Sequence, residues 1–371
     1  MKMRVFVAAL ALSVLPALAE AAIVPGPCQD GVLPSGALSR ICIPSSGWNG
    51  SLVVFAHGYV AFNEPIGFYH LDLPDGTNLP NLVQSLGFAF ATTSYRENGL
   101  AALHAIDDIH ELVDSFPAVA GQAPNKTYLT GVSEGGLVAA LAAERTPQLF
   151  TGALSTCGPI GSFRAQVNYV GDLRALFDVY FPGVIPGPAT SVPANVIANW
   201  DTQYLPAVTA AVNANPANAM AVLRIAHVAF DPNDPTTVAR AMTDVLWYAV
   251  FATNDAAAKL GGNPYDNTTR WYTGSTNDLL LNLLVQRYTA DAAALTALGA
   301  YETSGQLTIP MVTLHTFGDD VIPYAHELLY GAKVHPTGRG RLVGLPVNAF
   351  GHCNFTSSQV LSSFVLLVLL P

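Results

Sequence analysis

Along the first part of the chain, short apolar runs rich in branched and aromatic side chains alternate with stretches of helical periodicity. The spacing predicts strands over residues 52–56 (LVVFA), 88–93 (FAFATT), 127–132 and 151–157, the first two so continuously apolar that they read as buried on both faces of a parallel sheet. Residues 63–80 are rich in Pro, Asn and Asp and read as a loop. Within 100–116, Leu103, Ile106, Ile109, Leu112 and Val113 recur at helical spacing, which puts His104, Asp108 and Glu111 on the outward, solvated face. With a helix predicted over 135–144, residues 127–157 make a strand, turn, helix and strand, a βαβ unit.

From 158 to about 305 the pattern changes. Strand-like runs nearly vanish, Ala, Asn and Pro accumulate, and helices are predicted over 206–212, 237–252, 276–288 and 291–301. The Pro-rich piece 182–193 reads as an irregular hinge or rim. Strand character returns at 310–316 and 341–347. The apolar run 360–370 contains Ser362 and Ser363 and is too short to span a bilayer, so it reads as a final core helix. The expected organisation is an export segment (1–21), a first core part (22–157), a helical cap insertion (158–305) and a second core part (306–371). No internal repeat is visible.

Composition narrows the function classes. Of 371 residues, 51% are hydrophobic and 11% charged, enough to fill a large core, in a single domain carrying an insertion or in two intimately joined parts. The formal net charge is -10 with no cluster of Lys and Arg, which argues against nucleic acid as a partner. Lys2 and Arg4 precede an apolar run over 5–19 that ends in small residues, the pattern of an export signal cleaved after Ala19 or Ala21. The run is shorter than the roughly 20 residues of a spanning helix, so a secreted or periplasmic protein without stable membrane insertion is expected. An oxidising compartment gives the four cysteines meaning. Of three pairings, Cys28 with Cys42 closes a short loop, and Cys157 with Cys353 ties a strand end to a loop carrying His352. A closed loop as short as the first contributes about 3 kcal/mol in the chain-entropy account.

Gly131-Val132-Ser133-Glu134-Gly135 is a G-x-S-x-G turn placed between a predicted strand and a predicted helix. In so tight a turn, side chains at 131 and 135 would collide, Ser133 is forced into a strained conformation that presents its hydroxyl, and the helix N-terminus favours developing negative charge. His57-Gly58-Tyr59 ends the 52–56 strand. An oxyanion hole needs two backbone donors, and the Tyr59 and Glu134 N–H groups are assigned to it, with His57 holding the loop. A serine hydroxyl needs a base oriented by a carboxylate. His352, in Gly351-His352-Cys353, and Asp319, in Gly318-Asp319-Asp320-Val321-Ile322-Pro323, follow late strands in the required chain order, and the stretch between them fits one helix and one strand. Asp320 is the rival carboxylate, a neighbour or helix cap in this reading. His326-Glu327 lacks the second histidine of a zinc motif, Gly338-Arg339-Gly340 lacks the setting of a dinucleotide loop, and neither a metal nor a cofactor is expected. The sequons at Asn125, Asn267 and Asn354 read as chance matches.

At these residues the chain resembles the α/β-hydrolase superfamily over about 45–157 and 306–371, with the helical insertion in the place of that family's cap. The resemblance implies a mostly parallel sheet flanked by helices, Ser133 as nucleophile, His352 as general base and acid, Asp319 as its orienter, and Tyr59 with Glu134 as oxyanion donors. More narrowly, Trp48-Asn49-Gly50, the segment 263–267 and Arg270-Trp271-Tyr272 resemble a group of secreted bacterial hydrolases of serine esterase or lipase-like type. Glu134 departs from the pattern as an acid beside the nucleophile, where its charge would disfavour anionic substrates or be paired with a polar neighbour. The expected activity is carboxylic-ester hydrolysis through an acyl-enzyme on Ser133, with a small-molecule or polymeric ester as substrate and a serine peptidase as the alternative. A non-catalytic binding protein would show a broken triad. Trp200, Tyr204, Trp247, Tyr248, Trp271 and Tyr272 either line a pocket in the insertion or form its core.

Overall fold

The computed structural model describes residues 22–371 apart from 335 and 337; the predicted export signal, 1–21, lies outside the described residues. Among the described residues eight strands form one sheet: β1 (Cys28–Val32), β2 (Leu38–Cys42), β3 (Ser51–Ala56), β4 (Ala89–Thr93), β5 (Lys126–Val132), β6 (Gly152–Thr156), β7 (Met311–Gly318) and β8 (Leu342–Phe350). Their order is β1-β2-β4-β3-β5-β6-β7-β8. The first two pairings, β1 with β2 and β2 with β4, are antiparallel and the rest are parallel.

Helices cover both faces, and the two-residue period of the strands divides the core between them. Leu52, Val54 and Ala56 of β3 pack on one side, against α2 (Ala102–Ala120) and α3 (Glu134–Arg145). Val53 and Phe55 pack on the other, with α1 (Leu79–Ser85) and the last helix of the chain. Between β6 and β7 the described chain is helical: α4 (Phe163–Tyr180), α5 (Ala194–Ala198), α6 (Leu205–Ala214), α7 (Pro216–Ile225), α8 (Pro235–Phe251), α9 (Thr253–Leu260), α10 (Asp278–Leu284) and α11 (Ala292–Leu298). These helices surround an apolar cluster of their own, with Trp200, Val222, Val245 and Leu246 at its centre. α12 (Ala325–Lys333) joins β7 to β8, and α13 (Ser357–Leu369) ends the chain on a capping box at Thr356 and Gln359. No helix among the described residues is long and apolar enough to cross a membrane.

Several elements differ from the pattern-based expectation. The N-terminal hairpin β1–β2 was not predicted, because all five residues of β1 are exposed and carry no apolar alternation. The loop predicted over 63–80 gives way to α1, whose N-terminus is marked by Asn78, accepting from the Asn81 amide, and by Pro80 in the first turn. The helix expected over 276–288 ends at Leu284, where Val285 turns extended. Asp108 does not face solvent: it is fully buried, and its carboxylate accepts from the Arg96 amide and Nε, each at 2.7 Å. Glu111 accepts from the Ser35 amide at 2.9 Å, and His104 alone of the three is mostly exposed.

Candidate active site

Ser133 stands between β5 and α3 with φ 57° and ψ −120°, a left-handed conformation that a serine adopts only when its surroundings impose it. The imposition comes from close packing. A Cβ at Gly131 would lie 1.9 Å from the Gly135 carbonyl oxygen, and one at Gly135 would lie 2.1 Å from the Ala56 carbonyl oxygen. Glycine is therefore required at both positions, for α3 to press against β5 and β3.

The hydroxyl so presented meets a continuous chain of hydrogen bonds. Ser133 Oγ lies 2.9 Å from His352 Nε2, and His352 Nδ1 lies 2.8 and 3.0 Å from the two carboxylate oxygens of Asp319. Because a carboxylate faces Nδ1, the imidazole proton belongs there, which leaves Nε2 free to accept from the serine. Asp319 follows β7, and its Oδ1 also accepts from the Val321 and Ile322 amides at 3.0 and 2.8 Å. Burial pushes the Asp319 carboxyl up, but the charge of His352 and hydrogen bonds from His315 and His352 outweigh it and hold it well below the usual carboxylate range. Asp320, the rival, does not touch His352 by hydrogen bond. Its side-chain oxygens are buried without a hydrogen-bond partner of good geometry among the described residues, and they face Asp244 of α8.

His315 extends the network in a way the sequence did not signal. It lies on β7, fully buried, with Nε2 at 3.3 Å from Asp319 and Nδ1 at 3.1 Å from Glu327. Burial alone would depress its pKa. The hydrogen bonds and charges of Asp319 and Glu327 instead raise it to about 10, so a buried imidazolium backs the carboxylate. The pattern HTFGDD carries both groups, but nothing in it tells which histidine the carboxylate meets.

The remaining predicted residues surround Ser133. Neither the Tyr59 nor the Glu134 amide has a protein acceptor among the described residues. The loop after β3 presses on the serine, since a Cβ at Gly58 would lie 3.1 Å from Ser133 Cβ. His57 is buried, its Nδ1 is 2.7 Å from the Gly58 carbonyl, its ring stacks on Tyr95 at 4.0 Å, and burial lowers its pKa to about 4. The Glu134 side chain turns away into the core, where Oε1 accepts from the Ala101 amide at 2.9 Å at the start of α2, and burial lifts its pKa to about 8. Of the two expectations for Glu134, the polar pairing describes the observed contact.

Both disulfides are present as paired in the sequence reading. Cys28–Cys42 joins residues directly opposite each other in β1 and β2, and Cys157–Cys353 joins the end of β6 to the residue after His352. Cys157, His352 and Cys353 bring candidate metal-ligand atoms within 4.8 Å of one another. Both sulfurs are already bonded, so no thiolate is available to a metal there.

Two cavities open at Ser133. The larger, about 390 Å³, runs along the β3, β5 and β6 face between α1 and α13; the smaller, about 130 Å³, lies toward α4 and α9. Tyr248 of α8 lines both, and its phenol is close enough to interact with the Ser133 hydroxyl. Phe163 and Tyr265 of the insertion also line the smaller one, whereas the other five aromatic residues weighed from the sequence line neither: Trp200, Tyr204 and Tyr272 are core, Trp271 is 60% exposed, and Trp247 packs edge-on against Tyr59 at 5.8 Å.

The strand order, the helices on both faces and the serine turn after β5 define the α/β-hydrolase fold. Similar solved structures include an acylaminoacyl peptidase from Pyrococcus horikoshii (12% identity, TM-score 0.47, covering 91% of this chain and 39% of that one). Others are feruloyl esterase B from Aspergillus oryzae (14%, 0.47, 89% and 73%) and a proline iminopeptidase from Mycobacterium smegmatis (14%, 0.45, 92% and 97%). The chain thus spans well under half the length of the Pyrococcus horikoshii peptidase it resembles. No protein-family model and no curated protein matches it.

Proposed function

We propose that this chain is an exported serine hydrolase that cleaves carboxylic esters through an acyl-enzyme on Ser133. The observation that carries the reading is the unbroken path from Asp319 through His352 to the Ser133 hydroxyl, with both hydrogen bonds at 2.8–2.9 Å. His352 Nε2 takes the serine proton as Oγ attacks the ester carbonyl. The Tyr59 and Glu134 amides receive the oxyanion, each donor stabilising the transition state by about 3 kcal/mol. His352 then hands the proton to the departing alcohol oxygen, and water repeats the sequence to free the acid. Asp319, kept ionised by its two histidine neighbours, holds the imidazole tautomer and stabilises the imidazolium.

The helices of 158–305 act as the cap, closing the site from above through Tyr248. Ester hydrolysis is favoured over the peptidase alternative because no buried anionic site for a substrate amine is formed among the described residues. The acids lining the cavities are Asp72, which is exposed, and Glu134, which burial keeps protonated to about pH 8. Export and the two disulfides fit a secreted or periplasmic protein. Turnover of a short-chain chromogenic ester, compared with amino-acid anilides, tests the reading. Ser133→Ala is expected to fold normally and to lower turnover on the order of a million-fold. Ester turnover that survives this substitution, or faster cleavage of anilides than of esters, would contradict it.

A further inference from the structure

The two cavities meet at one nucleophile but differ in size and in what lines them. The larger is bordered by His352 and Cys353, and by Val132 on the strand side of Ser133. The smaller is bordered by Glu134 on the helix side and is not reached by His352. That asymmetry has a chemical meaning. When the ester C–O bond breaks, the electron pair leaves with the alcohol oxygen, and the proton that His352 Nε2 took from Ser133 must be delivered to it. The leaving group therefore has to sit on the His352 side, while the acyl group, now bonded to Ser133 Oγ, takes the other side.

We propose, resting on the ester-hydrolase reading, that the 390 Å³ cavity holds the alcohol and the 130 Å³ cavity the acyl group, so that the substrates are short-acyl esters of bulky, uncharged, apolar alcohols. The large cavity suits such a group. Phe55 and Leu154 of the sheet form its floor, and Leu79 and Leu82 of α1 face Leu361 and Phe364 of α13 across it. Of its titratable wall residues away from Ser133, Asp72 is exposed to solvent, and His70 is pushed below the usual histidine range by burial and then by the charge of His352, so it offers a neutral ring. The small cavity, bounded by Leu100, Val167 and Ala256 around Glu134, leaves room for a few carbons beyond the carbonyl.

Octyl acetate and ethyl octanoate are isomers and place the same carbons on opposite sides of the ester, so comparing their kcat/KM on the full protein tests the assignment. Octyl acetate is expected to be the better substrate by at least about tenfold. Leu82→Trp and Leu361→Trp, on opposite walls of the large cavity, are each expected to lower the ratio of octyl acetate to ethyl acetate turnover by about tenfold or more. Ala256→Leu is expected to act on the butyrate-to-acetate ratio of ethyl esters instead. A preference for ethyl octanoate, or tryptophan variants that leave the octyl-to-ethyl ratio unchanged, would overturn the assignment while leaving ester hydrolysis intact. Failure to turn over any of these esters would overturn the underlying reading as well.

Discussion

Glu134 shows how surroundings decide what a carboxyl does. Its backbone follows Ser133 directly and its side chain accepts the Ala101 amide at the start of α2, a helix that no side chain of its own N-cap residue closes. In the folded chain its pKa is about 8 against an ordinary 4.5, so between those values the native state holds a proton that the unfolded state has released. Stability from this group is therefore present at low pH and is lost as pH rises through about 8. Glu134→Gln keeps an acceptor and removes the titration, and is expected to flatten the fall in Tm over that window. Glu134→Ala strands the amide and should cost about 1–3 kcal/mol at low pH, where the parent carboxyl is protonated, with the difference shrinking as pH rises. Thermal melts across the pH range check both, and a Glu134→Gln profile parallel to the parent would contradict the account. The G-x-S-x-G pattern and the chain order made Ser133, Asp319 and His352 readable from sequence. His315 and the contact of Tyr248 were not, since each depends on which side chains meet across a fold.

The elements that were easy to read are those whose burial is one-sided or complete. β3 and the start of β4 read as continuous apolar runs because helices cover both faces of the sheet, and β5 keeps Tyr128, Leu129 and Val132 among polar residues. α4 escaped notice because its inward side carries Asp172 and Arg174, which break the apolar period. Both are buried with partners: Arg174 donates to Asp178 and to the Ile185 and Gly187 carbonyls, and Asp172 pairs with Arg270 and accepts from Tyr265 and Tyr272. The loop between β8 and α13 is held by a covalent link where it matters most. Cys353 follows His352 directly, and it and Cys157 both adopt positive φ, at 50° and 46°. Replacing both cysteines by serine is expected to free the His352 loop and to lower kcat more than it raises KM. Equal kcat in the parent and the double variant would show that the bridge does not position the histidine.

Across the whole molecule, the helical insertion and the sheet domain are joined by polar contacts around the site. Gln166 donates to the Val321 carbonyl at 2.8 Å, Leu100 to Asp255 at 2.7 Å, Tyr59 to the Phe251 carbonyl at 3.2 Å, and Lys259 to the Asn98 carbonyl at 2.6 Å. The facing carboxyls of Asp244 and Asp320 stand at the same junction. Burial first, then the charge of Asp320, raises Asp244 to about 7, with Arg240 and His352 opposing the rise. This group too is protonated in the native state above its ordinary 3.8, so its contribution is lost as pH rises through about 7. Asp244→Asn is expected to make Tm and turnover less sensitive to pH between 6 and 8, and an unchanged profile would show that the two carboxyls do not bind the junction together. The change of pattern at 158 predicted helices in this stretch, and helices are what lie between β6 and β7. Which of its aromatic residues would reach the serine was hidden, because helices packed into one core present similar periodicity on every side.

The proposed ester hydrolysis requires that Ser133 be activated by His352. Treating the folded protein with a fluorophosphonate, which reacts with activated serines, and mapping the adduct by mass spectrometry measures this directly. One adduct per chain on Ser133 is expected, lost in His352→Ala. An unreacted Ser133, or labelling that persists without the histidine, would contradict it.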